Sequence, residues 1–171
     1  MYSKCMLWSA ASMQLTLFSD YSLRILLYLT MHRERLVSVP EISSAYGVSR
    51  HHLVKVVQRL VELSLIESVR GRGGGLRLAR EPGDINVASV VRQTEPHLNL
   101  VECFDARTNT CPIDAACGLK RALLQAQAAF FSELERYTLA DFAERRPGLL
   151  KLWQLRLKGG SAVVSAVATV P

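Results

Sequence analysis

Three cysteines carry the clearest chemistry in this 171-residue chain: Cys103, Cys111 and Cys117, separated by seven and five residues in a segment with Pro112, Gly118 and little apolar periodicity. Three thiolates on one loop can bind zinc or an iron-sulfur cluster, and either centre wants a fourth ligand. The segment holds no fourth cysteine, and His97 precedes it. A group from elsewhere must therefore complete the site, and three sulfurs alone do not choose between the two metals. Cys117 is expected to open a helix, whose N-terminal end favours the metal-binding thiolate. Lys120 and Arg121 would offset negative charge there, and Cys5 reads as idle. No stretch has the length of a secretory signal or a membrane span, which predicts a cytoplasmic protein without a membrane partner. In that reducing compartment a metal or redox role is preferred to disulfides.

The second feature is charge. The chain carries a net charge of +6 with a pI near 9.4, which favours a polyanionic partner. From Arg50 to Arg80 it places Arg50, Lys55, Arg59, Arg70, Arg72, Arg77 and Arg80 against only Glu62 and Glu67. With 49% apolar and 21% charged residues the composition is that of a folded globular chain.

The elements that must position these groups can be read from periodicity and caps. Ser19 is expected to cap a first helix with Leu23, Leu26, Leu27 and Thr30 on one face. Ser38-Val39-Pro40-Glu41 reads as a capping box with proline in the first turn, opening a second helix that stops at Gly47. Ser49 caps a third, in which Leu53, Val56, Val57, Leu60 and Leu63 share one face while His51, His52, Lys55, Arg59 and Glu62 lie off it. Two helices about a glycine turn make a helix-turn-helix. Two short strands flanking Arg70-Gly71-Arg72-Gly73-Gly74-Gly75 make a hairpin wing. A further helix runs over about 87–93. After the cysteines, Leu119, Leu123, Ala126, Phe130 and Tyr137 recur at close to coiled-coil spacing over some two dozen residues, a stripe that needs a partner helix.

The fold class is thus mainly α, a winged helix-turn-helix with a long C-terminal dimerisation helix. The expected organisation is a disordered extension over 1–12, a DNA-binding domain over 13–95, a cluster-binding loop over 96–118, a dimerisation helix region over 119–146 and a partly disordered tail over 147–171. The third helix can lie in a DNA major groove, with Arg50, His51, His52 and Lys55 reaching base edges and Ser49 at the helix N-terminus meeting a phosphate. Arg70 and Arg72 of the wing, with Gly73 allowing close approach, would reach phosphates or the minor groove. The glycines do not form a nucleotide-binding loop, since Leu76 stands where a third glycine is required. No nucleophile and base pattern indicates an enzyme.

These residues resemble the Rrf family of winged-helix transcription regulators. The resemblance lies in Leu17-Phe18-Ser19-Asp20-Tyr21-Ser22-Leu23-Arg24, in Val48-Ser49-Arg50-His51-His52-Leu53-Val54-Lys55, in Val69-Arg70-Gly71-Arg72-Gly73-Gly74-Gly75 and in Cys111-Pro112-Ile113-Asp114-Ala115-Ala116-Cys117. It spans roughly residues 13–142, and the cysteine spacing is similar to that of the family's nitric-oxide-sensing repressors. What it implies is a homodimer on a palindromic double-stranded DNA operator. It further implies a 4Fe-4S cluster held by Cys103, Cys111 and Cys117 of one subunit and Asp20 of the partner subunit, and operator release when nitric oxide reacts with that cluster. Arg24, one turn beyond Asp20, is implied to lie near the cluster or DNA and to couple them. The alternatives are a 2Fe-2S regulator of iron, iron-sulfur or redox homeostasis, or a zinc-bearing structural or interaction module.

Overall fold

The computed structural model describes residues 14–157. The chain runs α1 (Leu17–Met31), α2 (Val39–Tyr46), α3 (Arg50–Glu62), β1 (Ile66–Val69), β2 (Gly75–Leu78), α4 (Val87–Thr94), α5 (Gly118–Glu135) and α6 (Arg146–Leu157), with 3-10 turns at Pro82–Asp84, Glu102–Phe104, Asp114–Ala116 and Leu139–Arg145. This is a mainly α winged helix-turn-helix, as the sequence predicts.

α1 begins earlier than Ser19. Its cap is Thr16, whose Oγ1 accepts the Ser19 N–H at 3.3 Å while the Thr16 N–H donates to Glu95 Oε1 at 2.8 Å. Ser19 is instead fully buried, sharing a 2.8 Å hydrogen bond with Thr94. A serine that reads locally as a cap is used as a polar link between α1 and α4, because a buried hydroxyl must find a partner. α2 is capped as expected: Ser38 Oγ accepts the Glu41 N–H at 3.3 Å, and Gly47 ends the helix at φ 67°. The Glu41 carboxylate does not close the box; it accepts from Tyr28 Oη at 2.9 Å and pairs with Arg35.

β1 and β2 pair antiparallel, with Ile66 opposite Leu78 and Val69 opposite Gly75. Val37 adds a rung by exchanging backbone hydrogen bonds with Leu76 at 3.0 and 2.8 Å, anchoring the wing to the segment before α2. Gly71 and Gly73 sit at φ 108° and 80°, a region costly for side-chain-bearing residues. Gly74 is required for a different reason, since a Cβ there would run into the Val69 carbonyl oxygen.

The core joins α1, α3 and the wing through Ile25, Leu26, Leu29, Leu53, Val56, Leu60, Ile66 and Leu76, all at most 3% exposed. α6 lies on this unit: Trp153 is buried, its ring 4.7 Å from that of Tyr28 and 5.6 Å from that of Tyr46. The expected C-terminal tail therefore starts with an ordered helix, because a large aromatic docks on an aromatic pair. Residues 1–13 and 158–171, covering the expected extension and the rest of the tail, lie outside the described residues.

α5 has 18 residues, shorter than the two dozen expected, and Tyr137 lies beyond its end. The helix is anchored to its own chain by Phe131, which packs with Ala88 and Val91 of α4 beneath the Arg92 guanidinium, 4.4 Å from the ring centroid. Of the predicted stripe, Leu119 is 67% and Phe130 42% exposed on the single chain, a face without a partner helix among the described residues. Among the described residues no helix is long and apolar enough to cross a membrane.

Candidate nucleic-acid interface and cysteine loop

α3 divides cleanly. Leu53, Val56 and Leu60 are buried, while Arg50, His51, His52 and Lys55 are exposed in its first turns. Ser49 holds the N-cap position with an exposed side chain that makes no capping bond. Arg70 and Arg72 are exposed on the wing loop, and Gly73 lies between them and β2.

The ion pairs sort these cations. Arg59 is bound to Glu62 at 3.1 Å and Arg77 to Glu67 at 2.7 Å. Arg50, Lys55, Arg70 and Arg72 have no carboxylate partner among the described residues. The cations on the leading edge of α3 and at the wing tip are thus left for an external anion, while Arg59 and Arg77 are neutralised within the chain and Arg80 donates to the Leu63 carbonyl at 3.3 Å.

Asp20 and Arg24 form a two-point ion pair on α1, Arg24 Nε to Asp20 Oδ1 at 2.8 Å and Nη2 to Oδ2 at 2.7 Å. The guanidinium also lies 5.9 Å from the Tyr21 ring centroid and 5.7 Å from that of Tyr46. Tyr46 Oη donates to the Arg24 carbonyl at 3.1 Å, and its own hydroxyl pKa is pushed up by burial. Tyr21 in turn stacks on His52 of α3, with ring centroids 6.4 Å apart. Asp20 is therefore connected to the exposed face of α3 through Arg24 and Tyr21. The resemblance supplied Arg24, while Tyr21 and Tyr46 were missed; Tyr21, one turn before Arg24, offered a local signal, whereas Tyr46 lies on α2 and meets Arg24 only through the tertiary fold.

The cysteines sit on three separate supports. Cys103 lies in the turn Glu102–Phe104, Cys111 begins the approach to the turn Asp114–Ala116, and Cys117 is the N-cap of α5. All three are half-buried free thiols. Cys117 Sγ accepts the Lys120 N–H at 3.4 Å, so the sulfur does the work usually given to a serine oxygen. The Lys120 ammonium is ion-paired with Asp114. That hydrogen bond holds the Lys120 pKa above its ordinary value against partial desolvation, with further upward contributions from the charges of Cys103 and Cys111. Cys117 thus meets Lys120 through its sulfur, and Lys120 in turn is tied to Asp114 in the turn just before α5. Glu102 accepts from both the N–H and the hydroxyl of Thr110, which holds its carboxyl below the usual range.

By residue type the three free thiols suit a thiolate-bound metal centre, with Cys117 at the N-terminus of α5 beside Lys120, but the single chain does not bring the three sulfurs to one point. Among the described residues no group of three or more His, Cys, Asp or Glu side chains is placed to hold a metal ion within one chain.

The family described as Rrf2, iron-dependent transcriptional regulator, matches residues 15–145. The chain is 44% identical over 145 residues to the HTH-type transcriptional regulator NsrR of Bacillus subtilis (strain 168), covering 84% of this chain and 99% of that protein. It is 48% identical to the regulator of the same name from Shouchella clausii (strain KSM-K16), over 84% of this chain and 97% of the relative. Among solved structures it resembles IscR of T. potens (TM-score 0.63, 26% identity, 78% of this chain and 88% of that chain). It likewise resembles CymR, described as the global cysteine regulator of B. subtilis (TM-score 0.64, 25% identity, 78% and 98%).

Proposed function

Since the chain belongs to the Rrf2 family of transcriptional regulators, we propose that it is a DNA-binding repressor whose operator affinity is set by an iron-sulfur cluster and lost on exposure to nitric oxide. The observation that carries the DNA half is the set of unpaired cations, Arg50 and Lys55 on α3 with Arg70 and Arg72 on the wing. In this reading α3 enters the major groove, with Arg50, His51, His52 and Lys55 toward base edges, Ser49 and the wing arginines toward phosphates, and Gly73 letting the backbone approach. A homodimer on a palindrome is supported by the outward stripe of α5, where Leu119 and Phe130 are exposed on the single chain.

Cys103, Cys111 and Cys117 would hold the cluster, with Asp20 of the partner subunit as the oxygen ligand that completes a 4Fe-4S centre. When bound, such a cluster supplies an iron that oxygen holds less firmly than sulfur does, and which nitric oxide can therefore reach. The chain's own part is mechanical. An iron bound by Asp20 would draw charge from the carboxylate that Arg24 holds at two points, and so weaken or shift that contact. Arg24 rests on Tyr21 and Tyr46, and Tyr21 on His52. A change in what Asp20 holds is therefore felt at the DNA-facing end of α3, and across a dimer it alters the spacing of the two reading heads.

The test is anaerobic purification with iron and sulfide assays, followed by operator titration before and after stoichiometric nitric oxide. The expected result is about four irons and four sulfides per chain and operator affinity that falls on exposure. Two irons per chain would replace the cluster type with 2Fe-2S. A colourless protein that takes up only zinc would overturn the sensor and leave the DNA-binding unit standing. Asp20→Ala should retain the cluster but lose it faster to a chelator; unchanged lability would remove Asp20 from the site.

A further inference from the structure

The loop between the first two cysteines is closed by one carboxylate. Glu102 Oε1 accepts the Thr110 N–H at 2.8 Å and the Thr110 hydroxyl at 2.7 Å. Glu102 immediately precedes Cys103 and Thr110 immediately precedes Cys111. The clasp therefore joins the backbone at the two points from which the two thiols emerge. Inside it the chain is further folded: the Asp105 carbonyl accepts the Thr108 and Asn109 N–H groups at 3.2 and 3.0 Å, and Asn109 Oδ1 accepts the Cys111 N–H at 3.0 Å. None of these bonds involves a sulfur atom, so the clasp is free to persist whether or not the thiols hold anything.

We propose that Glu102 is a positioning residue for the thiol site: by clasping Thr110 it keeps Cys103 and Cys111 at a fixed separation, so that metal is captured by a formed pair rather than by two ends of an open loop. The proposal deepens the cluster reading above and rests on it for its biological meaning. The physical argument does not depend on the cluster type. Bringing the ends of an unconstrained loop together has an entropic cost, and a site already closed loses less freedom on binding. Glu102 has no contact with substrate or metal in this role. Its effect is transmitted through the backbone of the neighbouring residue.

Three variants of the full chain separate this role from simple loss of charge or of fold. Glu102→Ala removes the acceptor, Thr110→Val removes one of the two donors, and Glu102→Gln keeps an oxygen acceptor at the same reach while removing the charge. Cobalt(II) is titrated into each cluster-free protein, read by its sulfur-to-metal absorption, with far-ultraviolet circular dichroism confirming the helical fold. Removing groups that orient metal ligands lowers affinity by about 10–100-fold. The expectation is about a tenfold weaker cobalt affinity for Glu102→Ala, a smaller loss for Thr110→Val and near-native affinity for Glu102→Gln. Equal affinity in all forms would overturn the proposal, as would Glu102→Gln behaving like Glu102→Ala, since that result assigns the effect to charge. If the cobalt series behaves as expected and no form takes up iron and sulfide, the clasp stands and the cluster reading falls.

Discussion

At the scale of single residues, pairing decides what a charge is available to do. Arg50 and Arg59 lie on the same helix and read alike in the sequence, yet only Arg59 is bound to a carboxylate, Glu62. Exposed pairs of this kind contribute little to stability, with a usual range of about 0–1 kcal/mol, so their significance here is occupancy rather than strength. Arg50→Ala and Lys55→Ala are each expected to weaken operator binding by about 1–3 kcal/mol, the range for one lost base contact, and Arg72→Ala on the wing to lower affinity and flatten its salt dependence as a lost phosphate contact does. Arg59→Ala should change binding no more than about twofold, in line with surface substitutions generally. Fluorescence anisotropy across a salt series checks all four, and an Arg59 effect as large as that of Arg50 would overturn the assignment of the reading edge.

At the scale of elements, the wing shows how backbone geometry positions a functional tip. Gly74 has no room for a side chain because the Val69 carbonyl occupies that space, and its N–H donates to the Gly71 carbonyl at 3.0 Å. Gly74→Ala must push the loop open and move Arg70 and Arg72. Strain of this sort costs on the order of 1–3 kcal/mol. The expected outcome is reduced operator affinity with the helical core intact, checked by DNA titration alongside thermal unfolding. α5 offers the complementary case, since its one buried anchor, Phe131, ties the cysteine-bearing end of the molecule to α4. Phe131→Ala should destabilise the fold by about 3 kcal/mol, the lower end for removal of a buried phenylalanine, measured by urea unfolding.

At the scale of the whole molecule, α5 carries two apolar faces with different destinations. Phe131 and Leu134 pack inward on the chain's own second cluster, while Leu119 and Phe130 remain outside it. Burying an exposed leucine or phenylalanine side chain is favourable by about 1.5–3 kcal/mol, which gives the outward stripe a thermodynamic reason to meet its copy. Leu119→Asp combined with Leu124→Asp, both on exposed positions of α5, should leave the single-chain fold intact by circular dichroism and yield a monomer by sedimentation with much weaker operator binding. A variant that remains dimeric would place the subunit contact elsewhere. Meanwhile α6, through Trp153, folds back onto Tyr28 and Tyr46 and makes the C-terminal region part of the DNA-reading unit.

Local pattern in the amino-acid sequence was sufficient for the elements whose signals are local. The Ser38 cap, the Gly47 stop, the buried face of α3 and the glycine wing each depend on a few neighbouring residues, and each stands where periodicity and capping place it. From residue type and spacing the three cysteines also read as a metal-binding set, and that expectation enters the proposed function. Only the tertiary structure decided which polar groups meet across long separations. Ser19 became a buried link because Thr94 lies against it, α5 is fixed to its own chain by Phe131 against Ala88 and Val91, and Trp153 found two tyrosines more than a hundred residues earlier. The Glu102 clasp and the link from Asp20 through Arg24 and Tyr21 to His52 belong to the same class. Helical period and turn chemistry report a residue's immediate neighbours, whereas these contacts depend on where whole elements come to rest once the apolar surfaces have been buried.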